Sequence, residues 1–253
     1  MIKVYFVGAG PGDPELLTLK AARLLSGCRI CIYAGSLVSP AVLKTVNPAA
    51  QLYDSAGMTL DEIVAVCRKA REDETDVVRL HSGDPSLYGA IREQMSGLDR
   101  EGISYEVVPG VSAFQAAAAA LNVELTAPEV AQTVILTRTS GRTPLPMEQE
   151  LDRLAATQAT LCIFLSGHKI ADVARTLEGP YGTDCPVAVV YHASWPDQQT
   201  VTGTLADIAA RAEAEISGRT SLILVGRALG RDIAPSRLYD KAFTHGFRRG
   251  DTE

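Results

Sequence analysis

Eight short runs of apolar, mostly β-branched residues recur along the chain: "IKVYFV" (2–7), "RICIY" (29–33), "DVVRLH" (76–81), "SYEVV" (104–108), "QTVILTR" (132–138), "TLCIFL" (160–165), "PVAVVY" (186–191) and "SLILV" (221–225). Several are apolar at every position instead of every second one, the pattern of a parallel strand buried on both faces. Between them the period changes to that of a helix. Ile63, Val66, Cys67 and Ala70 fall on one stripe, and Leu205, Ile208, Ala209, Ala212 and Ile216 on another. This alternation predicts an α/β fold of two domains with mainly parallel sheets. The segment "LNVELTAPEVAQ" (121–132) follows an alanine-rich helix and precedes a new series of strands, so the expected domains are residues 1–121 and 122–238. Residues 239–253 have no strong period and are expected to form a loosely held tail.

Composition narrows this only slightly. A chain of 253 residues that is 46% hydrophobic can bury a core. No run approaches the roughly 20 consecutive apolar residues that span a bilayer, and the N-terminus enters a strand without a signal pattern, so a cytoplasmic protein is expected. The five cysteines then read as reduced thiols. A net charge of −6 gives no basic footprint for nucleic acid, although arginines can still gather locally around an anionic substrate.

The first strand runs into "VGAGPGDPELLT" (7–18), which has the look of a phosphate-cradling glycine loop. The dinucleotide fingerprint fails there, because the third glycine should stand at Asp13. A P-loop fails as well, for no Gly-Lys-Ser/Thr follows and an aspartate at the helix mouth opposes a phosphate. The G-x-G-x-G spacing of Gly8, Gly10 and Gly12 fits the usual methyltransferase loop, but Phe6 stands where the acidic residue belongs. Local mechanics are plainer: Asp13 can cap a helix begun by Pro14, with Leu17, Ala21, Leu24 and Leu25 on its buried face as far as Gly27. The device recurs at "RLHSGDPSLYG", where Asp84 and Pro85 are expected to open the next helix, and at "VVPGVSAFQAAAAAL", where Ser112 is a plausible N-cap. Loops after "TLCIFL" and "PVAVVY" complete the set, and ligands of open α/β folds collect at such strand ends.

Together, "VGAGPGDPELLT", "SGDPSLYG", "VPGVSA" and "WPDQQTVTGTLADI" resemble the tetrapyrrole methylase family, S-adenosylmethionine-dependent enzymes that methylate carbons of uroporphyrinogen and corrin precursors, over about residues 2–238. "YAGSLVSP", "LTRTSGRTPLP" and "ASWPDQ" are similar to the branch that methylates C-11 of precorrin-4 or its cobalt-bearing equivalent. The resemblance implies a homodimer of two α/β domains with the active-site cleft between them. It implies that the glycine loop borders the tetrapyrrole instead of cradling a phosphate. For S-adenosylmethionine it implies contacts from Pro11, Ser82, Gly83, Asp84, Leu87, Ser112, Ala113, Leu165, Ala193, Thr220, Ser221 and Leu222. Gly10, Gly12 and Asp13 would border the tetrapyrrole.

Relatives acting on uroporphyrinogen carry an aspartate after a tyrosine and a lysine some twenty residues on; here Tyr33 is followed by Ala34 and Gly35, and "YDSAGM" has no lysine. No general base is therefore carried over, and a sulfonium methyl, already activated, does not demand one. A polycarboxylate substrate calls for guanidinium pairing, and residues 130–147 hold Arg138 and Arg142 but no acidic residue. The same loop also reads as a solvated surface. Cys28 and Cys31 form a CxxC with no second pair for zinc, so core packing is expected and no metal. His81 and His192 stand at strand ends, where a satisfied structural histidine is common; His168 and Lys169 can reach substrate carboxylates. Trp195 either covers a flat ring or anchors its loop. Methylation at another carbon, a nicotinamide-dependent oxidoreductase and a non-catalytic tetrapyrrole carrier are the alternatives, the missing fingerprint glycine counting against the second.

Overall fold

A computed structural model of the chain describes residues 2–141, 143–216, 220–230, 233, 236 and 241–250. These form two compact units: residues 2–120 together with His192–Gln198, and Leu121–Tyr191 together with the described residues from Gln199 onward.

In the first unit, strands β1 (Lys3–Gly8), β2 (Ile30–Tyr33), β3 (Gln51–Asp54), β4 (Val77–His81) and β5 (Ser104–Val108) form a sheet of order β3-β2-β4-β1-β5. Every pairing in it is parallel. Helices α1 (Leu19–Gly27), α2 (Pro40–Leu43), α3 (Leu60–Glu72), α4 (Ile91–Arg100) and α5 (Ala113–Leu121) connect or follow the strands. Strand alternation assigns the two faces. Val7, Cys31, Val78 and Leu80 pack with Ala21, Leu25 and Val42, whereas Val4, Phe6, Ile30, Ile32 and Val77 pack with Ile63, Cys67 and Leu98. With both faces covered, most positions along the central strands are shielded from water, which explains the apolar runs.

Arg79 interrupts one of those runs. It is 6% exposed, donates from Nε to Gln94 Oε1 at 2.9 Å, and shares Nη1 between the carbonyls of Ile32 and Leu80, both at 3.3 Å. Burial lowers its pKa to about 10, so it remains a cation at neutral pH.

The second unit holds β6 (Val134–Arg138), β7 (Thr160–Phe164), β8 (Pro186–Tyr191), β9 (Gln199–Thr204) and β10 (Ser221–Val225) in the order β6-β7-β10-β8-β9, with α6 (Leu151–Ala155), α7 (Ile170–Tyr181) and α8 (Ile208–Glu215). Across the two sheets five of eight pairings are parallel, so the expectation of mainly parallel sheets holds for the pair. The departure lies wholly here: β6 and β7 are parallel, but β10 runs antiparallel to β7 and β8, and β9 antiparallel to β8. The chain returns from β8 to β9 through residues 192–198 alone, too short for the crossover that parallel strands need.

All eight expected strands form, and β3 and β9 come in addition. Both helical stripes are also present: Ile63, Cys67 and Ala70 are buried on α3 with Val66 half-buried, and Leu205, just ahead of α8, is buried with Ile208 and Ala212. Two helix starts differ from expectation. Asp13 caps only a single 3-10 turn, Pro14–Leu16, by accepting from Glu15 N at 2.9 Å; the chain is extended at Leu17, and Thr18 caps α1 through Ala21 N at 3.1 Å. Asp84 and Pro85 likewise lead into turns, and α4 begins only at Ile91 behind the left-handed Ala90. In both places the aspartate satisfies a local N–H without committing the chain to a helix. Of the expected tail, residues 239–240 and 251–253 lie outside the described residues; residues 241–250 form turns joined by a bridge between His245 and Arg248 and are mostly exposed. Among the described residues no helix is long and apolar enough to cross a membrane.

Candidate functional site

In the first unit three strands, β1, β4 and β5, end side by side, and glycines let their loops touch backbone to backbone. A Cβ on Gly8 would lie 2.6 Å from Gly110 Cα and from Gly83 O; one on Gly110 would lie 2.2 Å from Gly83 O. Gly10 and Gly83 exchange hydrogen bonds, at 2.8 Å and 3.3 Å. Gly83 holds φ +62, a conformation that favours glycine.

Asp84 ties this junction together. Its Oδ2 accepts from Gly110 N at 2.9 Å, and its Oδ1 accepts from Ser86 N at 2.8 Å and from the Ser86 hydroxyl. Burial alone pushes the carboxyl up, but the Ser86 hydroxyl and the two backbone N–H groups outweigh it and hold the group below its ordinary value. Ser112 is buried at the head of α5, where its N–H donates to Gln115 Oε1 at 2.9 Å; the half-buried Ala113 follows, and Leu87 lies in the turn after Asp84.

The glycine loop itself offers few donors. Ala9 N donates to His81 O at 2.7 Å, Gly10 N to Gly83 O, Pro11 has no N–H, and Asp13 N donates to Ser194 Oγ at 3.0 Å. An anion nest needs converging free N–H groups. Here Ala9, Gly10 and Asp13 already spend their N–H groups within the protein, so the loop lacks the converging free donors of a phosphate cradle.

Residues 192–198 lie on this loop. Trp195 Nε1 donates to Pro11 O at 2.7 Å, and the indole stacks on His192 with ring centroids 4.2 Å apart and planes at 21°. His192 Nδ1 lies 3.0 and 3.1 Å from the two Asp197 carboxylate oxygens. Ala193 is buried. Of the two readings open for Trp195, the structure supports the anchor.

In the second unit β6 and β7 also end together, with Arg138 paired to Phe164. Arg138 does not present a bare guanidinium: Nη1 donates to the carbonyls of Thr139 and Thr143 at 3.2 and 3.0 Å, and Nη2 to Pro144 O at 3.2 Å. It braces its own loop. Arg142 lies outside the described residues. Ser166 joins the two strand ends, accepting from Thr139 N at 2.9 Å, and Lys169 donates to Ser140 O. Leu165, between Phe164 and Ser166, has φ +55 and is 61% exposed, a strained backbone holding an apolar side chain in the open. Because β10 is antiparallel to β7, with Ile223 opposite Ile163, its first residues run alongside the residues that follow β7. Thr220 is exposed and Leu222 buried, and Ser221, 8% exposed, has a buried hydroxyl with no hydrogen-bond partner.

The remaining expectations divide. All five cysteines are free and buried; burial pushes the Cys67 and Cys185 thiols to about 11 and Cys162 to about 12, which leaves them unreactive thiols. Among the described residues no group of three or more metal-ligating side chains occurs. His81 departs from the satisfied histidine expected: it is 3% exposed and its Nε2 has no partner. The Asp84 cross-brace was not foreseen as such, although "SGDP" had marked the place.

Residues 3–209 match the family model described as tetrapyrrole (corrin/porphyrin) methylases. The chain belongs to this family. Among proteins of known function, the cobalt-precorrin-4 C(11)-methyltransferase of Methanocaldococcus jannaschii is 51% identical over 249 residues, covering 98% of this chain and 96% of its own. The precorrin-4 C(11)-methyltransferase of a Sinorhizobium species is 48% identical, covering 98% and 99%. Among solved structures, a cobalt precorrin-4 methyltransferase of cobalamin biosynthesis superimposes with a TM-score of 0.85 at 43% identity, over 90% of this chain and 96% of that one. Uroporphyrin-III C-methyltransferase of Thermus thermophilus, solved with S-adenosyl homocysteine, gives 0.74 at 30% identity, over 90% and 98%. As a tetrapyrrole methylase the chain is no nicotinamide-dependent oxidoreductase, in keeping with the glycine fingerprint that fails at Asp13.

Proposed function

We propose that this tetrapyrrole methylase transfers a methyl group from S-adenosylmethionine to C-11 of precorrin-4, or of its cobalt-bearing form, in cobalamin biosynthesis. The observation that carries the reading is near-full-length identity of about half with proteins named for that reaction. The bound donor supplies a sulfonium methyl that an electron-rich carbon can take directly. The protein's own part is then orientation, and holding reacting atoms in line is worth on the order of several kcal/mol. No catalytic acid or base is assigned.

The residues proposed to contact the donor are Pro11, Ser82, Gly83, Asp84, Leu87, Ser112, Ala113 and Ala193 in the first unit and Leu165, Thr220, Ser221 and Leu222 in the second. The unpaired Ser221 hydroxyl and the strained Leu165 support that choice. Gly10, Gly12, Asp13, Arg138 and Arg142 are proposed to border the tetrapyrrole, Arg138 chiefly by shaping its loop. A cytoplasmic homodimer completes the proposal, supported by reduced cysteines and by exposed apolar side chains such as Leu19 and Leu52; sedimentation of the pure protein tests the dimer.

Incubation with a donor carrying a carbon-13 methyl and with freshly made precorrin-4, followed by NMR, tests the reaction. Label at C-11 is expected; label at another carbon would keep the family and overturn the assignment. Asp84→Ala removes acceptors for three donors, and hydrogen bonds to a charged group are worth about 1.5–3 kcal/mol. Calorimetry is expected to show S-adenosylhomocysteine binding weakened tenfold or more. Arg138→Ala frees three loop carbonyls and is expected to raise the KM for the tetrapyrrole while leaving donor affinity within about twofold, one lost brace being worth about 1 kcal/mol.

A further inference from the structure

We propose that residues 192–198 act as a clamp on the glycine loop, with Trp195 a positioning residue that sets the affinity for the tetrapyrrole. The inference rests on the reading that Gly10, Gly12 and Asp13 border that substrate.

Between Gly10 and Asp13 the loop has little to hold it from within. Gly10 is paired with Gly83 and Asp13 O accepts from Leu16 N, but Pro11 lacks an N–H, and in the two peptide units that flank Gly12 it is the clamp that binds Pro11 O, through Trp195 Nε1 at 2.7 Å, and Asp13 N, through Ser194 Oγ at 3.0 Å. The indole also covers Gly12 so closely that a Cβ there would come within 2.0 Å of Cδ1. The peptide units on either side of Gly12 are thus fixed from one side only.

The clamp is itself stiffened. His192 stacks on the indole and is held by Asp197; Ser194 N donates to Gln198 Oε1 at 2.7 Å, Trp195 N to His192 O at 2.8 Å and Gln198 N to Trp195 O at 3.1 Å. His192 and Ser194 both take positive φ, +47 and +69. Such conformations persist where surroundings over-determine them, and here they turn the serine hydroxyl and the indole onto the same loop. A loop ordered before binding spares the ordering cost at the moment of binding. The effect should therefore fall on substrate affinity and not on methyl transfer once substrate is bound.

The test compares the whole protein with Trp195→Phe, which keeps a ring over Gly12 and loses the N–H, and with Trp195→Ala, which loses both. Hydrogen exchange at the amides of Gly12 and Asp13 is expected to quicken roughly tenfold in the phenylalanine variant and further in the alanine variant, without change in the strands. The KM for precorrin-4 is expected to rise roughly tenfold with kcat within twofold, and the Kd for S-adenosylhomocysteine, tied to this segment only through Pro11 and Ala193, is expected to rise much less than the KM. Unchanged exchange in a folded variant overturns the clamp whatever the substrate is. Faster exchange with an unchanged KM, or equal losses in KM, kcat and Kd, overturns the positioning role. If the wild-type protein turns over no precorrin-4, the functional reading fails and takes the substrate half of the inference with it, while the exchange data still decide the clamp.

Discussion

Replacing Gly8 with alanine is expected to destabilise the protein by about 3 kcal/mol or more and to remove donor binding. The added methyl would sit 2.6 Å from Gly110 N and Cα and from Gly83 O, against a normal contact of 3.4 Å or more. All of these are backbone atoms at the ends of neighbouring strands. A long side chain can swing aside; the ends of β4 and β5 cannot without loosening the Asp84 bond to Gly110 N and the Gly10–Gly83 pair. Fold and site should therefore fail together. Gly27→Ala, at the end of α1 where an added Cβ meets nothing within 4 Å, is the control and should leave the urea midpoint nearly unchanged. A Gly8→Ala protein with wild-type midpoint and wild-type S-adenosylhomocysteine affinity would refute the argument.

Acid is expected to weaken the fold through His81. Burial first, then the neighbouring Arg79 cation, lowers its pKa from 6.5 to about 3. The folded protein thus keeps this imidazole neutral where the unfolded chain takes up a proton. Stability is complete above the unfolded value of 6.5 and is lost as the pH falls from there toward 3, at about 1.4 kcal/mol per pH unit. Between pH 7 and pH 4.5 the loss is roughly 2–3 kcal/mol. His81→Leu cannot take up that proton, so its urea unfolding free energy should fall less over the same interval. Other groups titrate alike in both proteins, and equal losses would place the acid sensitivity elsewhere.

Much of this was legible before any coordinate. Strands buried on both faces announce themselves by unbroken apolar runs, and every such run became a strand. What escaped were β3 and β9, edge strands in which most positions meet water: "QLYD" and "QTVTGT" carry too few apolar residues to stand out from loop. Strand direction in the second sheet escaped for a different reason. Apolar periodicity says that a strand is buried but not which way it runs; the short return through residues 192–198 dictates the direction of β9 alone. The helix starts at Asp13 and Asp84 misled because an aspartate caps a turn and a helix by the same hydrogen bond. Site positions were marked by glycine and proline, whose backbone demands are local. The partners of Asp84 and Trp195, 26 and 184 residues away, are set by the fold alone.

One consequence of the loop's construction is optical. The chain contains a single tryptophan, and its indole N–H bonds to the carbonyl of Pro11 while its ring lies against an imidazole. Excited at the red edge, where tyrosine absorbs little, the protein emits from that one place. A shift of the emission maximum to longer wavelength before the helical circular dichroism falls would record the loop coming free while the sheets stand. The protein thus carries a built-in reporter of its glycine loop, free of any attached label.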